Sequence, residues 1–237
     1  MDGFLDSSVY IGEVDDNNVP HGYGLRISGD SSLYQGYSFK GYANGNGRLI
    51  YITPDGHGGV TTAFYEGEFD QDKPNGPGFE ALGQLMDYTG FWMNGVKNGQ
   101  GVQSSYDKSV SYEGMFKDGL RHGLGRLEVL GQFKYDGCFQ DNKKHGFGRL
   151  DAQGEIYSGE FEDDMKHGSG VLMTKSGDRI VGTWVEDELI IREVVVTDDG
   201  VKPADDEVKP APDEPVEAHE PASTPSKCDT CTQTSDE

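Results

Sequence analysis

Two sets of residues in this 237-residue sequence stand at spacings that could do chemistry. His122, His145 and His167 each stand immediately before a pair of glycines, as His21 does in a looser setting, and a ladder of imidazoles can bind metal or move protons. Asn44, Asn75 and Asn98 hold the same place elsewhere in the chain. A place shared by His and Asn asks for a hydrogen bond at a turn or between neighbouring segments, which both side chains supply, rather than for acid–base chemistry. Cys228-Asp-Thr-Cys231 has the spacing of zinc and redox sites, but no second such pair accompanies it and His219 alone cannot complete a tetrahedral set. No nucleophile beside a base, phosphate-cradling loop or paired carboxylates stand outside the repeated pattern described next. No catalytic residue, metal site or cofactor is therefore expected, and the chain reads as a non-enzyme.

The element that must position these histidines is a repeat. Tyr112 to Gly125 reads YEGMFKDGLRHGLG, and the same phrase returns in one register at Tyr65, Tyr88, Tyr135 and Tyr157. Counted from the first aromatic, units start at Tyr10, Tyr34, Tyr65, Tyr88, Tyr112, Tyr135 and Tyr157, and Ile180 opens a partial eighth. A glycine follows every start by two residues (Gly12, Gly36, Gly67, Gly90, Gly114, Gly137, Gly159, Gly182). Four residues after the start comes Phe69, Trp92, Phe116, Phe139, Phe161 or Trp184, and only the first two units depart, with Val14 and Ser38.

Start, glycine and aromatic thus alternate with period two, which puts them on one face of a strand. The seventh residue after the start is Asn17, Gly41, Asp72, Gly95, Gly119, Asn142, Asp164 or Asp187, all of types that tolerate a left-handed backbone in a tight turn. A second glycine pair, such as Gly99 with Gly101 or Gly146 with Gly148, marks the return strand. Each unit is then a β-hairpin whose glycines leave room for the rings of the facing strand. The predicted fold is all-β: an elongated, single-layer, twisted antiparallel sheet of stacked hairpins over residues 1–192, interrupted by a protruding loop at Pro54 to Thr62. Glu188 to Val196 reads as the last strand and cap of the sheet.

Composition agrees with a thin architecture, since 35 glycines and 34% hydrophobic residues do not make one thick core. The net charge of -22 argues against duplex nucleic acid and anionic membrane surfaces as partners. MDGFLDSSVY carries no basic region before an apolar stretch, and no apolar run reaches the length of a membrane span. Three cysteines (Cys138, Cys228, Cys231) do not form a disulfide framework, so a reducing, cytoplasmic setting is expected. Residues 193–237 hold 13 acids against 3 lysines, most of the prolines and no aromatic, the composition of a disordered acidic tail.

The joint spacing of aromatic, glycine and glycine pair, as in Tyr88-Gly90-Trp92-Gly95-Gly99-Gly101, resembles the MORN (membrane occupation and recognition nexus) repeat over about residues 10 to 187. That resemblance implies a ribbon of stacked hairpins acting as a non-catalytic platform for proteins, sometimes near lipids, in cytoskeletal, ciliary or junctional assemblies or ahead of kinase or methyltransferase domains. Here only the cap and tail follow the last unit, so no appended catalytic domain is expected, and repeats with an acidic tail are similar to radial-spoke head and meichroacidin-type proteins. The acidity of the repeats speaks against direct lipid binding, the alternative that the family's name carries.

Two protein-binding surfaces are expected. The stripe formed by Tyr65, Phe69, Tyr88, Trp92, Tyr112, Phe116, Tyr135, Phe139, Tyr157 and Phe161 either packs within the sheet or lines a groove for a helix or extended peptide. In the tail, Asp229-Thr-Cys-Thr-Gln-Thr234 resembles the motif of the dynein light-chain hub, with Thr232, Gln233 and Thr234 as core and Asp229 as flanking contact; Thr230 replaces the usual basic residue. Phosphorylation of Thr234, which precedes Ser-Asp-Glu, would release such a partner. A second copy of the chain, paired by face or edge, is a further candidate partner.

Overall fold

The structure, a computed structural model, describes residues 8–197 and 200–202. Every regular element among the described residues is a strand. The described residues divide into two compact units, one up to Leu120 and one from Arg121 on. In the first, β1 (Val9–Val14), β2 (Pro20–Ile27), β3 (Leu33–Phe39), β4 (Tyr42–Pro54), β5 (Val60–Asp70), β6 (Lys73–Leu82), β7 (Met86–Met93), β8 (Val96–Ser105) and β9 (Val110–Lys117) form an antiparallel meander in chain order. The second contains β10 (Leu120–Val129), β11 (Phe133–Gln140), β12 (Lys143–Ala152), β13 (Glu155–Glu162), β14 (Met165–Met173), β15 (Arg179–Val185), β16 (Glu188–Thr197) and β17 (Gly200–Lys202), again paired antiparallel in sequence.

The turns bear out the expected left-handed positions and add one. Two consecutive residues have positive φ at Gln71-Asp72, Asn94-Gly95, Asp118-Gly119, Asp141-Asn142, Asp163-Asp164 and Glu186-Asp187. That is the mirror-image turn whose twist matches a hairpin. In the first hairpin the left-handed residue is Asn18 rather than Asn17, because Asp15 closes a wider loop by accepting the N–H groups of Asn17 and Val19. The turns also lock each hairpin to the one before. The N–H of Asp164 donates to the Lys144 carbonyl at 3.0 Å, while the Lys144 N–H donates to Asp164 Oδ1 at 2.9 Å. Asp187 repeats this with Lys166.

Glycines stand opposite glycines across each sheet. Gly12, Gly24, Gly36, Gly47, Gly67, Gly78, Gly90, Gly101 and Gly114 pair in succession, as do Gly125, Gly137, Gly148, Gly159, Gly170 and Gly182. The expectation that both glycines of a return-strand pair make room for rings holds for one of them. A Cβ on Gly148 would lie 2.5 Å from Cε2 and Cζ of Tyr135, at ordinary φ. Gly146 meets only the Cys138 side chain, at 3.5 Å or more, but has φ +68°. The first glycine serves the backbone and the second serves the ring.

The reason lies in the register. Gly137 pairs with Gly148 and Phe139 with Lys144, so His145, Gly146 and Phe147 stand opposite the single Cys138. This bulge bends the strand, and the Tyr135 hydroxyl donates to the Cys138 carbonyl at 2.9 Å. The same bond from the starting tyrosine to the carbonyl three residues on recurs at Tyr34, Tyr65, Tyr88, Tyr112 and Tyr157. That explains tyrosine at this place: phenylalanine would fill it without reaching the carbonyl.

One expectation changes. Pro54 to Thr62 is chiefly a longer hairpin: β4 and β5 continue through the pairs Ile52–Thr62, Thr53–Thr61 and Pro54–Val60, and only the Asp55–Gly59 turn lies beyond. β-Branched residues on both sides favour continued pairing. At the other end β16 is the last strand expected over Glu188 to Val196, and β17 adds pairs to Val195, Val196 and Thr197.

Candidate functional site

The ten rings of the expected stripe are packed within the sheet. Tyr65, Phe69, Tyr88, Trp92, Tyr112 and Phe116 in the first unit, and Tyr135, Phe139, Tyr157 and Phe161 in the second, are all between 0 and 7% exposed. Each starting tyrosine meets the aromatic four residues on and, within its unit, that of the following hairpin. Tyr88 is edge-on to Trp92 at 5.4 Å and to Phe116 at 5.1 Å, and Tyr157 to Phe161 at 5.2 Å and Trp184 at 5.1 Å. Tyr34 joins the first series through Phe69. These rings therefore offer no open aromatic face; they are the core on which the opposite face is held.

Cations cover this side. Lys97 Nζ sits 4.7 Å above the Tyr88 ring and 3.2 Å from Glu80 Oε2, and the Tyr51 hydroxyl donates to Glu80 Oε1 at 2.6 Å. In the second unit Lys144 Nζ lies within 6 Å of the Phe133, Tyr135 and Phe161 rings, and burial lowers its pKa. Burial is also the first cause that pushes Tyr34 and Tyr88 up to about 12. Tyr65 and Tyr157 are raised too, by burial and then by the carboxylates of Glu68 and Glu160.

The histidines and asparagines before the glycine pairs stand at the hairpin joints. Asn44 Nδ2 donates to Asp70 at 3.3 Å, and Asn75 Oδ1 accepts the Asn94 N–H at 3.2 Å. His122 Nδ1 is 3.6 Å from the Asp141 carboxylate and His167 Nε2 is 3.4 Å from that of Glu162. Among the described residues no three His, Cys, Asp or Glu side chains are grouped to hold a metal ion. Asp229, Thr232, Gln233 and Thr234, with Cys228 and Cys231, lie outside the described residues.

What sequence reasoning missed is the other face. Residues one and three after each start, and those within and after each glycine pair, alternate away from the rings. In the first unit they include Ile11 (65% exposed), Tyr23 (64%), Phe91 (52%) and Val102 (45%). An open trough of about 840 Å³ runs along the bare backbone of Gly24, Gly36, Gly47 and Gly67, flanked by Tyr23, Leu25, Arg48 and Glu66. In the second unit the corresponding face carries cross-strand ion pairs, Arg126 with Asp136 at 2.5 Å and Lys134 with Glu128 at 2.9 Å. The signal was present as apolar residues at the i+3 and mid-pair places, but it is not periodic from unit to unit.

Comparison with known proteins matches this arrangement to a family. The model of the MORN repeat matches residues 10–32, 65–81, 88–110, 112–128, 135–153 and 157–179, more than half of the chain. An ALS2 C-terminal-like protein of Bos taurus is similar over 102 residues at 33% identity, which is 41% of this chain and 10% of that protein, so the chain spans about a tenth of that relative's length. With tyrosine, glycine row and left-handed turn in place in each matched stretch, and the aromatic in all but the first, the chain belongs to the MORN repeat family.

Proposed function

We propose that this chain is a non-catalytic scaffold whose hairpin array binds protein partners within a cytoskeletal or ciliary assembly of the cytoplasm. One observation carries the reading: the repeat residues are consumed in the core, while the face opposite leaves large apolar side chains in solvent that folding does not need. Family membership supports the coarser part, a repeat protein that binds rather than catalyses. The setting rests on the resemblance to cytoskeletal and ciliary members, and the tail supplies a second attachment if Thr232-Gln233-Thr234 adds as a strand to dynein light chain.

Proximity labelling by the full chain in its native cell, followed by direct binding of the labelled proteins to the purified chain, tests the proposal. Cytoskeletal or ciliary proteins that bind directly are expected; a labelled set with no direct binder overturns it. Titration of a peptide of residues 224–237 into dynein light chain tests the tail separately, and no binding at tens of micromolar removes that attachment. Flotation with anionic vesicles is expected to leave the protein at the bottom, and co-flotation would favour the membrane reading instead.

A further inference from the structure

The face turned away from the rings in residues 8–120 carries side chains that name a partner's chemistry. Large apolar side chains recur along its mid-line: Pro77 stands opposite Phe91, and Phe79 and Met115 stand opposite Thr89 and Gln100. Phe91 and Val102 are about half exposed, and Tyr23 with Ile11 continues the surface at the β1 end. Around this mid-line stand Glu66, Glu68 and Glu113, all exposed. No cation lies within ion-pairing distance of these three carboxylates among the described residues. Elsewhere on this face charges are paired across the strands, Lys108 with Asp87 in the first unit and Arg126 with Asp136 and Lys134 with Glu128 in the second. The face of residues 8–120 thus combines large exposed apolar side chains with carboxylates that outnumber the cations beside them, Arg48 opposite Glu66 being the nearest.

Geometry selects the form of the occupant. The trough follows the glycine row from β2 to β5, and the row continues through Gly78, Gly90 and Gly101 beside Phe79, Phe91 and Val102, so the line crosses the strands instead of running along them. Successive strands are ~4.8 Å apart, close to the ~5.4 Å rise of one helical turn. A helix laid in the trough meets a new strand about once per turn, so residues at i, i+4 and i+7 face the apolar mid-line while those beside them face the rim. An extended peptide across the strands would find no free backbone edge there, since every strand between β1 and β9 is already paired on both sides.

From this we infer that the face of residues 8–120 opposite the rings is the docking surface for a basic amphipathic helix, its apolar stripe over Tyr23, Phe79, Phe91 and Val102 and its lysines or arginines on Glu66, Glu68 and Glu113. The inference deepens the scaffold reading by naming the class of partner and the face that takes it.

The test uses the full chain and a labelled synthetic helix of leucine and lysine in amphipathic order, measured by fluorescence anisotropy. A scrambled peptide of identical composition and a leucine–glutamate helix of identical pattern are the comparisons. Expected are saturable binding of the leucine–lysine helix, at least ~10-fold weaker binding of both comparisons, and weakening by salt. Serine at Tyr23, Phe91 and Val102 together should raise Kd at least ~10-fold, whereas Leu124→Ser with Phe147→Ser on the second unit should change it less than ~2-fold. Circular dichroism of the triple variant establishes that it is folded; if it is not, Glu66→Lys with Glu68→Lys, at exposed sites, must produce the same loss. Equal binding of the scrambled peptide, or no effect of either set of variants, overturns the inference. Partners that bind the full chain directly and bind these variants equally would overturn it while leaving the scaffold reading in place.

Discussion

Gly148→Ala and Gly146→Ala place the same methyl group two residues apart, and the structure predicts that they act by unrelated mechanisms. At Gly148 the added Cβ lies 2.5 Å from two atoms of the Tyr135 ring, which is fully buried and held edge-on by Phe139 and Phe161 with centroids at 5.1 Å. The backbone on the other side is the partner strand, so the ring must move. Its hydroxyl bond to Cys138, two aromatic contacts and the strain of overpacking together amount to about 3–5 kcal/mol. At Gly146 there is room, and the left-handed φ alone costs a β-carbon about 1–2 kcal/mol.

A double-mutant cycle separates the two. Tyr135→Ala should cost about 3–5 kcal/mol by itself. In that background Gly148→Ala should cost less than about 1 kcal/mol, because the obstacle is gone, whereas Gly146→Ala keeps its full effect. Urea unfolding read by Trp184 fluorescence, with hydrogen exchange of the β11 to β13 amides as a local measure, gives the four free energies. Additivity of Gly148→Ala with Tyr135→Ala to within about 0.5 kcal/mol would refute the idea that the glycine row exists to seat the rings.

Other perturbations follow from the same geometry. At Asp164, whose carboxylate accepts the Lys144 N–H and whose φ is +75°, Asn should be nearly neutral, Gly should cost about 0.5–1 kcal/mol and Ala about 2 kcal/mol, an order that chemical denaturation checks. Replacing Lys97 by Met or Glu80 by Leu breaks a largely buried ion pair, so either single change should lower Tm more than both together; a double variant less stable than either single one would contradict this. Tyr34 and Tyr88 keep their protons to about pH 12 when folded but ionise near ~10 when unfolded. The raised native pKa gives a stability that is constant below pH ~10 and declines from there towards 12. Tyrosinate absorbance should therefore rise in two stages, the second with loss of the strand signal in circular dichroism; a single stage near ~10 with the fold intact would be the contrary result.

The hairpins were legible because their signals are local and repeated: Tyr65, Gly67 and Phe69 alternate on one face, and Asp72 sits where the backbone turns left-handed. The bulge was not legible, since His145-Gly146-Phe147 opposite Cys138 is a property of two strands in register and leaves no mark in the period of either. Without the bulge, Gly146 and Gly148 look alike and the tyrosine hydroxyl has no visible acceptor. The insert at Pro54 to Thr62 was misread because glycine and aspartate at Asp55 to Gly59 outweighed the β-branched residues flanking them, which in the fold extend the pairing by three steps.

The candidate site was harder to see for a related reason. A repeat makes conspicuous what it conserves from unit to unit, and here that is the interior: rings at 0 to 7% exposure and the glycines beneath them. Positions that vary, such as Tyr23, Asn46, Pro77 and Gln100 within successive glycine pairs, read as noise against that pattern. Yet these are the places that alternation turns outward, and there the units vary from hairpin to hairpin, between exposed apolar side chains such as Tyr23, Phe91, Leu124 and Phe147 and cross-strand ion pairs such as Arg126 with Asp136. In a single-layer sheet built of copies, recognition has to come from departures from the copy, because whatever all units share is already engaged in holding the next hairpin.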